Sequence, residues 1–180
     1  MTAEPLERTL DRHGHLGGPD GFPEPPGQLV LRVARESDLP ELRRLDEEVF
    51  QEVAYPAFLL RQLFDVYAEH FLVLDDGAGG LRGYVLAATT AFSRDSWILG
   101  LCVTEGNRRH GLGRELMTEI LARLREDGIE QVRLTVEPAN RAAILLYRSL
   151  GFRPEEPDGG LRRDYFGPGE HRRIMHLELR

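Results

Sequence analysis

The chain has 180 residues, enough for one ordinary domain, and its 41% hydrophobic and 29% charged residues are typical of a globular protein. All 23 basic side chains are arginine, and 30 acidic ones leave a formal net charge of −7, which disfavours general binding to nucleic acid or to anionic membranes. The absence of lysine excludes P-loop and Schiff-base sites, and the single cysteine, Cys102, excludes an internal disulfide and a Cys-rich zinc site.

The chain begins with a segment unlike the rest. Residues 1–27 are predicted to be a flexible tail because their second half is dense in Gly and Pro, and residues 28–180 are predicted to be a single domain. His13 and His15 in the tail supply too few ligands for a metal, so none is expected. No secretory signal is visible and no apolar run reaches the about 18 residues that cross a bilayer, so we expect a cytoplasmic protein without a membrane partner.

From residue 28 onward, hydrophobic periodicity predicts strands and helices in the order β-α-α-β-β-β-α-β-α-β-β. The strands are expected at residues 28–34, 70–76, 81–89, 97–103, 130–136, 161–166 and 172–179. The helices are expected at residues 35–50, 57–70, 109–127 and 138–152. The order predicts an α/β fold.

The segment RRHGLG, Arg108 to Gly113, stands between a predicted buried strand and a predicted helix. A helix N-terminus exposes unpaired N–H groups and the positive end of the helix dipole. Glycine at two alternate positions lets a phosphate approach the backbone without meeting a Cβ, and the arginines add positive charge. The pattern predicts an anion site sized for a pyrophosphate, with an ordinary turn as the alternative. A Rossmann site does not fit, because its third glycine and its acid are missing.

A second motif follows one strand later, where Asn140, Ala143 and Tyr147 recur on one stripe of a predicted helix. The two motifs are V-x(4)-R-x-x-G-x-G and N-x-x-A-x-x-x-Y-x-x-x-G-F. In this order and spacing they resemble the GNAT N-acetyltransferase superfamily over residues 97–152. The resemblance implies a GNAT-type fold, with a mixed, mostly antiparallel central sheet of about seven strands flanked by helices. It also implies an enzyme that uses acetyl-CoA as co-substrate and no metal.

The resemblance assigns residues to acetyl-CoA. The backbone N–H groups of six consecutive residues would hold the pyrophosphate: Arg109, His110, Gly111, Leu112, Gly113 and Arg114. Leu101 to Val103 would pair with the pantetheine arm as if it were an added strand. An amide near Val103 would polarise the acetyl carbonyl and stabilise the oxyanion that forms. Asn140 would contact the cofactor near its pantetheine.

Transfer to an amine needs a base that takes a proton and an acid that protonates the departing thiolate. By the resemblance Tyr147 is the acid; alternatively, its ring only packs between helix and sheet. The branch that the chain resembles most, the ribosomal-protein N-terminal acetyltransferases, carries a Glu where this chain has Thr135. Glu137, two residues on and on the same face of the strand, is either the replacement base or a solvated strand end. Glu105 and Glu52 are further candidates.

Two loops concern the acceptor. The segment RRDYFGPGEHRRIM resembles a loop of that branch in which a tyrosine helps to clamp a peptide N-terminus, and Tyr165 matches it. Phe50 and Tyr55 lie where the family has its other substrate loop, and they either line the pocket or only anchor the loop. The acceptor is therefore expected to be a primary amine, and a protein N-terminus is our first candidate. A small amine (polyamine, amino acid or antibiotic) and a non-catalytic acyl-CoA sensor are the alternatives. Cys102, in an apolar strand, is predicted to be a buried hydrophobe rather than a nucleophile.

Overall fold

A computed structural model describes residues 7–10, 29–90 and 93–179, and within these ranges the chain forms nine strands and four α-helices. The strands are β1 (Glu7–Leu10), β2 (Leu29–Val33), β3 (Phe71–Asp75), β4 (Leu81–Thr89), β5 (Asp95–Val103), β6 (Gln131–Val136), β7 (Arg153–Pro154), β8 (Leu161–Arg162) and β9 (Arg172–Glu178). The helices are α1 (Leu39–Phe50), α2 (Ala57–Tyr67), α3 (Leu112–Glu126) and α4 (Arg141–Ser149). None of the helices in the described ranges is both long and apolar enough to cross a bilayer.

The strands follow the order β1-β2-β3-β4-β5-β6-β9-β7, with β8 paired to β9. β5 and β6 are parallel, whereas β1–β2, β2–β3, β3–β4, β6–β9, β7–β9 and β8–β9 are antiparallel. The mixed, mostly antiparallel α/β sheet predicted from the sequence is therefore confirmed, with two more strands than expected.

The strands differ from the prediction at three places. The predicted tail, residues 1–27, lies outside the described residues except for β1, where Glu7–Leu10 pairs with Leu29–Arg32 as an edge strand. β7 was not predicted because its two residues are too few to show a pattern. The strand predicted at residues 161–166 ends at Arg162, since Asp164 has a left-handed backbone (φ 51) that turns the chain.

The described chain divides into two compact units. The first contains the described residues up to Leu86 and residues Gly100 to Ile120, and the second contains Ala87 to Leu99 and the described residues from Leu121 on. In the first unit the apolar stripe of α1 packs on α2 and on the strands. The core that these elements form has fully or almost fully buried members, which include Leu42, Leu45, Leu60, Phe71, Val73, Tyr84 and Cys102. These contacts fix the helices of this unit against β3 and β4.

A buried ion-pair network joins β2 and β3 in the first unit to the turn before α1. The guanidinium of Arg32, 6% exposed, donates to Asp38 at 2.6 and 2.9 Å and to Asp75 at 2.7 and 2.9 Å. Burial by itself would raise the pKa of Asp38, but the hydrogen bonds from Arg32 and from the Arg35 amide outweigh it, so the pKa is lowered. Because both carboxylates share one buried cation, this network holds the entry to α1 in place.

The second unit contains the parallel β5–β6 pair and the antiparallel β6–β9 pair. Along β6, Val132, Leu134 and Val136 are buried and alternate with partly exposed residues, which is the period of a strand with one covered face. β9 contributes the buried Ile174 and Met175 opposite β6. Met175, paired with Leu134, lies on the same covered face as the buried residues of β6, whereas Ile174, paired with Thr135, lies on the other face of the sheet.

Candidate active site

In the first unit, the turn before α3 is shaped by two left-handed residues. Arg109 has φ 65 and Gly111 has φ 81, and residues 108–111 are all exposed. Leu112, 2% exposed, anchors the first residue of the helix. The first bonds of the helix run from the amides of Arg114 and Glu115 to the carbonyl of Gly111, at 2.8 and 3.1 Å. The predicted motif therefore presents the start of α3 to solvent.

This turn can bind an anion. The first N–H groups of an α-helix have no acceptor inside the helix, and the dipole makes this end positive. Arg108 and Arg109 are exposed beside it and add charge. The amide of Arg114 already donates to Gly111, so a bond from it to a phosphate would be shared. The contacts that the sequence assigns to Arg109, His110, Gly111, Leu112, Gly113 and Arg114 stay predictions.

The end of β5 lies next to the same turn. The parallel pairing of β5 with β6 runs from Asp95–Gln131 to Ile98–Leu134, and β5 continues for five residues to Val103. Leu101 and Val103, both half-buried, lie in this extension. The Arg108 Nε donates to the Val103 carbonyl at 3.0 Å, so the structure brings the strand end and the turn together. The pairing of Leu101 and Val103 with pantetheine stays a prediction.

Cys102, between these two residues, is 4% exposed. Burial raises the pKa of its thiol well above the ordinary value, which keeps the thiol protonated and unreactive. The prediction that Cys102 is a buried hydrophobe is confirmed.

Phe50 and Tyr55 are both partly buried against the core of the first unit. Between them the chain makes a 3-10 turn at Gln51–Val53, and Gln51 is left-handed (φ 50). Burial beside Asp46 raises the pKa of Tyr55 to about 12. Both residues therefore anchor the α1–α2 connection, and a role in lining an acceptor pocket stays a prediction.

Asp46 is a residue that sequence reasoning missed. It lies on α1 with 0% exposure and accepts hydrogen bonds from the Tyr84 hydroxyl and, at 2.6 Å, from the Tyr55 amide. Burial raises the pKa of its carboxyl, although these two hydrogen bonds oppose the rise. Its position, four residues after Leu42 and three before Val49, is on the apolar stripe of the helix, and an acid there is the signal that could have revealed it.

In the second unit, Asn140 caps the start of α4, and both Asn140 and the nearby Glu137 are exposed. The Asn140 side-chain oxygen accepts the Ala143 amide at 3.1 Å, so Asn140 is the N-cap of α4. The Asn140 amide donates to the Glu137 carbonyl at 3.0 Å, which brings these two predicted residues together. The Glu137 side chain is exposed and follows directly after β6, whereas Thr135 lies within β6 opposite Ile174. The proposed roles of Asn140 and Glu137 stay predictions.

Tyr147 lies near the end of α4 and is 7% exposed. Its ring packs against Phe152 with the centroids 5.9 Å apart, and the Phe152 amide donates to the Tyr147 carbonyl at 3.0 Å. Burial raises the pKa of its phenol to about 12. Within the described part of the chain its hydroxyl has no hydrogen-bond partner. The arrangement is compatible with a packing role for the Tyr147 ring, and it leaves a protonated hydroxyl that can donate a proton. The catalytic role of Tyr147 therefore stays a prediction.

Tyr165 lies in the loop between β8 and β9 and is 42% exposed. It stacks edge-to-face on Phe166 at 4.9 Å, and the Arg172 guanidinium lies 4.9 Å from the centre of the Phe166 ring. The loop is closed by the Asp164 amide, which donates to His171 Nδ1 at 3.0 Å. The loop therefore holds two exposed aromatic rings together, and the role of Tyr165 in clamping a peptide N-terminus stays a prediction. Among the described residues no group of three or more His, Cys, Asp or Glu is placed to hold a metal.

The chain is similar to known proteins in sequence and in fold. The sequence profile described as acetyltransferase (GNAT) family matches residues 35–152. Over 80 residues the chain is 32% identical to the [ribosomal protein bS18]-alanine N-acetyltransferase of Escherichia coli K12, which covers 44% of this chain and 51% of that protein, so the match spans about half of this relative. A mycothiol acetyltransferase of Thermobispora bispora is 56% identical over 45 residues, 25% of this chain and 15% of that protein. The crystal structure of Ard1 from Thermoplasma volcanium matches with a TM-score of 0.73 at 26% identity, covering 83% of this chain and 97% of that chain.

Proposed function

The chain belongs to the acetyltransferase (GNAT) family, and we propose that it transfers the acetyl group of acetyl-CoA to a primary amine by direct attack. The observation that carries the proposal is the exposed turn before α3, in which Arg109 and Gly111 are left-handed and open the start of the helix to an anion. A pyrophosphate would find there the amides of the first helical turn, the positive end of the dipole and two arginines.

The extension of β5 supports the same co-substrate. Its last five residues continue past the final β5–β6 pair, so their backbone can bind an extended chain such as pantetheine. The amide near Val103 would stabilise the negative charge that develops on the acetyl oxygen. Arg108 holds the Val103 carbonyl at 3.0 Å and so keeps this strand end next to the phosphate-binding turn.

In the reaction the amine nitrogen forms a bond to the acetyl carbon, the bond from that carbon to sulfur breaks, and the thiolate takes a proton. We assign Tyr147 as the donor of this proton because it stands at the position of the family's general acid, and its hydroxyl carries the proton that the thiolate must receive. We assign Glu137 as the base that removes a proton from the amine, directly or through water. Its exposed carboxylate at the end of β6 supports this role.

A protein N-terminus is the acceptor that we propose. The paired rings of Tyr165 and Phe166, with Arg172 over the second ring, offer a surface on which an extended peptide can lie. A relative named as a ribosomal-protein alanine N-acetyltransferase supports the same class of acceptor. The net charge of −7 adds a mild preference for a cationic amine.

A small amine is the second candidate acceptor. The observation in its favour is the segment of 45 residues that is 56% identical to a mycothiol acetyltransferase, a name that designates no protein N-terminus. Loops decide substrate choice in such folds, and the matched segment is only a quarter of this chain.

The test is release of thiol from acetyl-CoA with a panel of peptides, polyamines, amino acids and aminoglycosides. Each peptide is paired with the same peptide blocked at its N-terminus. We expect turnover on free N-termini only, and a turnover number about 100-fold lower in Tyr147→Phe. Tyr67→Phe, a half-buried tyrosine outside the proposed site, is the matched control.

Each part of the proposal has its own contrary outcome. Turnover on small amines but not on peptides would replace the N-terminal acceptor by the second candidate. Full activity of Glu137→Gln would mean that Glu137 is a solvated strand end. Binding of acetyl-CoA without turnover on any amine would favour the non-catalytic sensor, and no binding at all would refute the proposed function.

A further inference from the structure

Asp46 is a buried carboxylate that the proposed reaction does not use. It lies on α1 between Leu45 and the exposed Glu47, faces the apolar core of the first unit, and is 0% exposed. Burying an ionisable group in an apolar core is unfavourable unless hydrogen bonds compensate it. The partners of Asp46 therefore indicate what the residue is for.

Its two oxygens accept from two different parts of the chain. Oδ1 accepts the Tyr84 hydroxyl on β4, and Oδ2 accepts the Tyr55 amide in the α1–α2 connection at 2.6 Å. The carboxylate thus ties the backbone of the connection to the centre of the unit. In the same connection Gln51 is left-handed and the Ala54 amide donates to the Gln51 carbonyl at 3.1 Å, so the path of the chain is closely defined.

Tyr84 is itself held on every side. It is 0% exposed, and its ring meets Phe71 edge-on with centroids 5.4 Å apart. Gly100 on β5 leaves the space that the ring needs, because a Cβ there would lie 2.9 Å from the Tyr84 Cε2 and Oη. The hydroxyl that binds Asp46 therefore lies directly against β5, one residue before Leu101.

We propose that Asp46, with Tyr84, is the positioning pair for the acceptor: it fixes Tyr55, and with it the α1–α2 connection, relative to the end of β5. The inference rests on the proposed function, which assigns Phe50 and Tyr55 to the acceptor side and Leu101 and Val103 to acetyl-CoA. Tyr84 touches the strand of the second set, and Asp46 touches the backbone of the first. The pair thus sets the spacing between acceptor and co-substrate.

A role in stability alone accounts for Asp46 poorly. Leucine at position 46 together with phenylalanine at position 84 would continue the apolar packing of Leu42 and Leu45, and replacing a whole buried polar pair by apolar residues is often neutral or stabilising. Leucine at position 46 alone would leave the Tyr84 hydroxyl and the Tyr55 amide without their acceptor. What leucine could not do is accept the Tyr55 amide. The defined position of the α1–α2 connection is therefore the feature that requires a hydrogen-bond acceptor at position 46.

The test compares Asp46→Leu with Asp46→Asn. Asparagine can accept the Tyr55 amide through its oxygen and donate to the Tyr84 hydroxyl through its nitrogen, so it keeps both contacts without the charge. We expect Asp46→Leu to raise the KM for the acceptor about tenfold or more, while the KM and Kd for acetyl-CoA stay unchanged. Asp46→Asn should restore the wild-type acceptor KM.

Hydrogen exchange of the Tyr55 amide gives a readout that does not depend on activity. We expect protection to be lost in Asp46→Leu and kept in Asp46→Asn. If Asp46→Leu does not fold, Tyr84→Phe tests the same pair, because it removes only the hydroxyl, and it should raise the acceptor KM and loosen the Tyr55 amide to a smaller degree.

The results that would contradict the positioning role of Asp46 differ from those that would contradict the proposed function. A folded Asp46→Leu with unchanged acceptor KM, or with equal effects on both substrates, would overturn the positioning role while the transfer activity stands. Loss of activity in Asp46→Asn equal to that in Asp46→Leu would mean that the charge matters, and would also overturn it. A wild-type chain that acetylates no amine would refute the proposed function and the acceptor role of Asp46 with it, whatever the exchange shows.

Discussion

Replacing Tyr147 by phenylalanine removes one hydroxyl and keeps the ring that packs against Phe152. Burial raises the pKa of this phenol from 10 to about 12, because the charged form would lose its solvation. Between these two pH values the unfolded chain loses its proton first, so unfolding becomes easier as the pH rises. The contribution is complete below pH 10 and lost above about pH 12, and its full size is about 3 kcal/mol. At pH 11 about half of it should be lost.

The assay is urea unfolding followed by circular dichroism at pH 8 and pH 11. Between these conditions the free energy of unfolding should fall by about 1 to 2 kcal/mol more in the wild type than in Tyr147→Phe. Tyr55, whose pKa is also raised to about 12, titrates in both proteins and cancels in the difference. Tyr165→Phe, at a 42% exposed side chain, controls for the loss of a hydroxyl as such. Equal losses in the wild type and Tyr147→Phe would refute the claim that a buried, neutral phenol lies at this position.

Three further substitutions test the site and its support. Arg32→Met leaves Asp38 and Asp75 without their shared cation, so it should lower the free energy of unfolding, measured with urea at pH 7, by about 3 kcal/mol. A loss below about 1 kcal/mol would contradict a stabilising role of this network. Gly111→Ala places a Cβ on a residue with φ 81, which costs about 1–2 kcal/mol of backbone strain, and it should raise the Kd for acetyl-CoA measured by calorimetry. An unchanged Kd would mean that this turn is not part of the binding site. Cys102→Ala should keep its turnover, since the buried thiol takes no part in direct attack, and loss of turnover in a folded variant would support an acyl-cysteine route.

The helices and strands that the sequence predicts correctly are those whose apolar residues repeat with a local period. In α3, Leu112, Leu116, Ile120 and Leu124 are each at most 2% exposed, as one buried face of a helix requires. The N-terminal limit of this helix was predicted three residues early, because the left-handed Arg109 and Gly111 belong to the turn. Local periodicity therefore locates the element, and backbone geometry that periodicity does not encode sets its end.

The strands that were missed owe their existence to partners elsewhere in the chain. β7 has two residues, Arg153 and Pro154, and is a strand only because they pair with His176 and Met175 of β9. β1 is four residues long and pairs with β2 about twenty residues away. The opposite error, the strand expected up to Phe166, arose because apolar and aromatic residues favour strands, whereas the bonds of Asp164 to Gly169 and His171 close a loop.

The two sides of the proposed site differ in the same way, because one depends on local sequence and the other on contacts between residues far apart in the chain. The turn before α3 is local: its glycines, arginines and helix start are neighbours in sequence, so a motif of six residues predicts a pyrophosphate site. The second motif, from Asn140 to Phe152, completes the resemblance that implies acetyl-CoA. In our proposal the position of the acceptor depends on Asp46, whose partners lie 9 and 38 residues away, at Tyr55 and Tyr84. An acid on the apolar stripe of α1 marks Asp46 as unusual, but nothing in the sequence near it names Tyr84. Chains that share the RRHGLG turn and differ at positions 46 and 84 should therefore share a co-substrate and differ in acceptor, since the first depends on local sequence and the second on a tertiary contact.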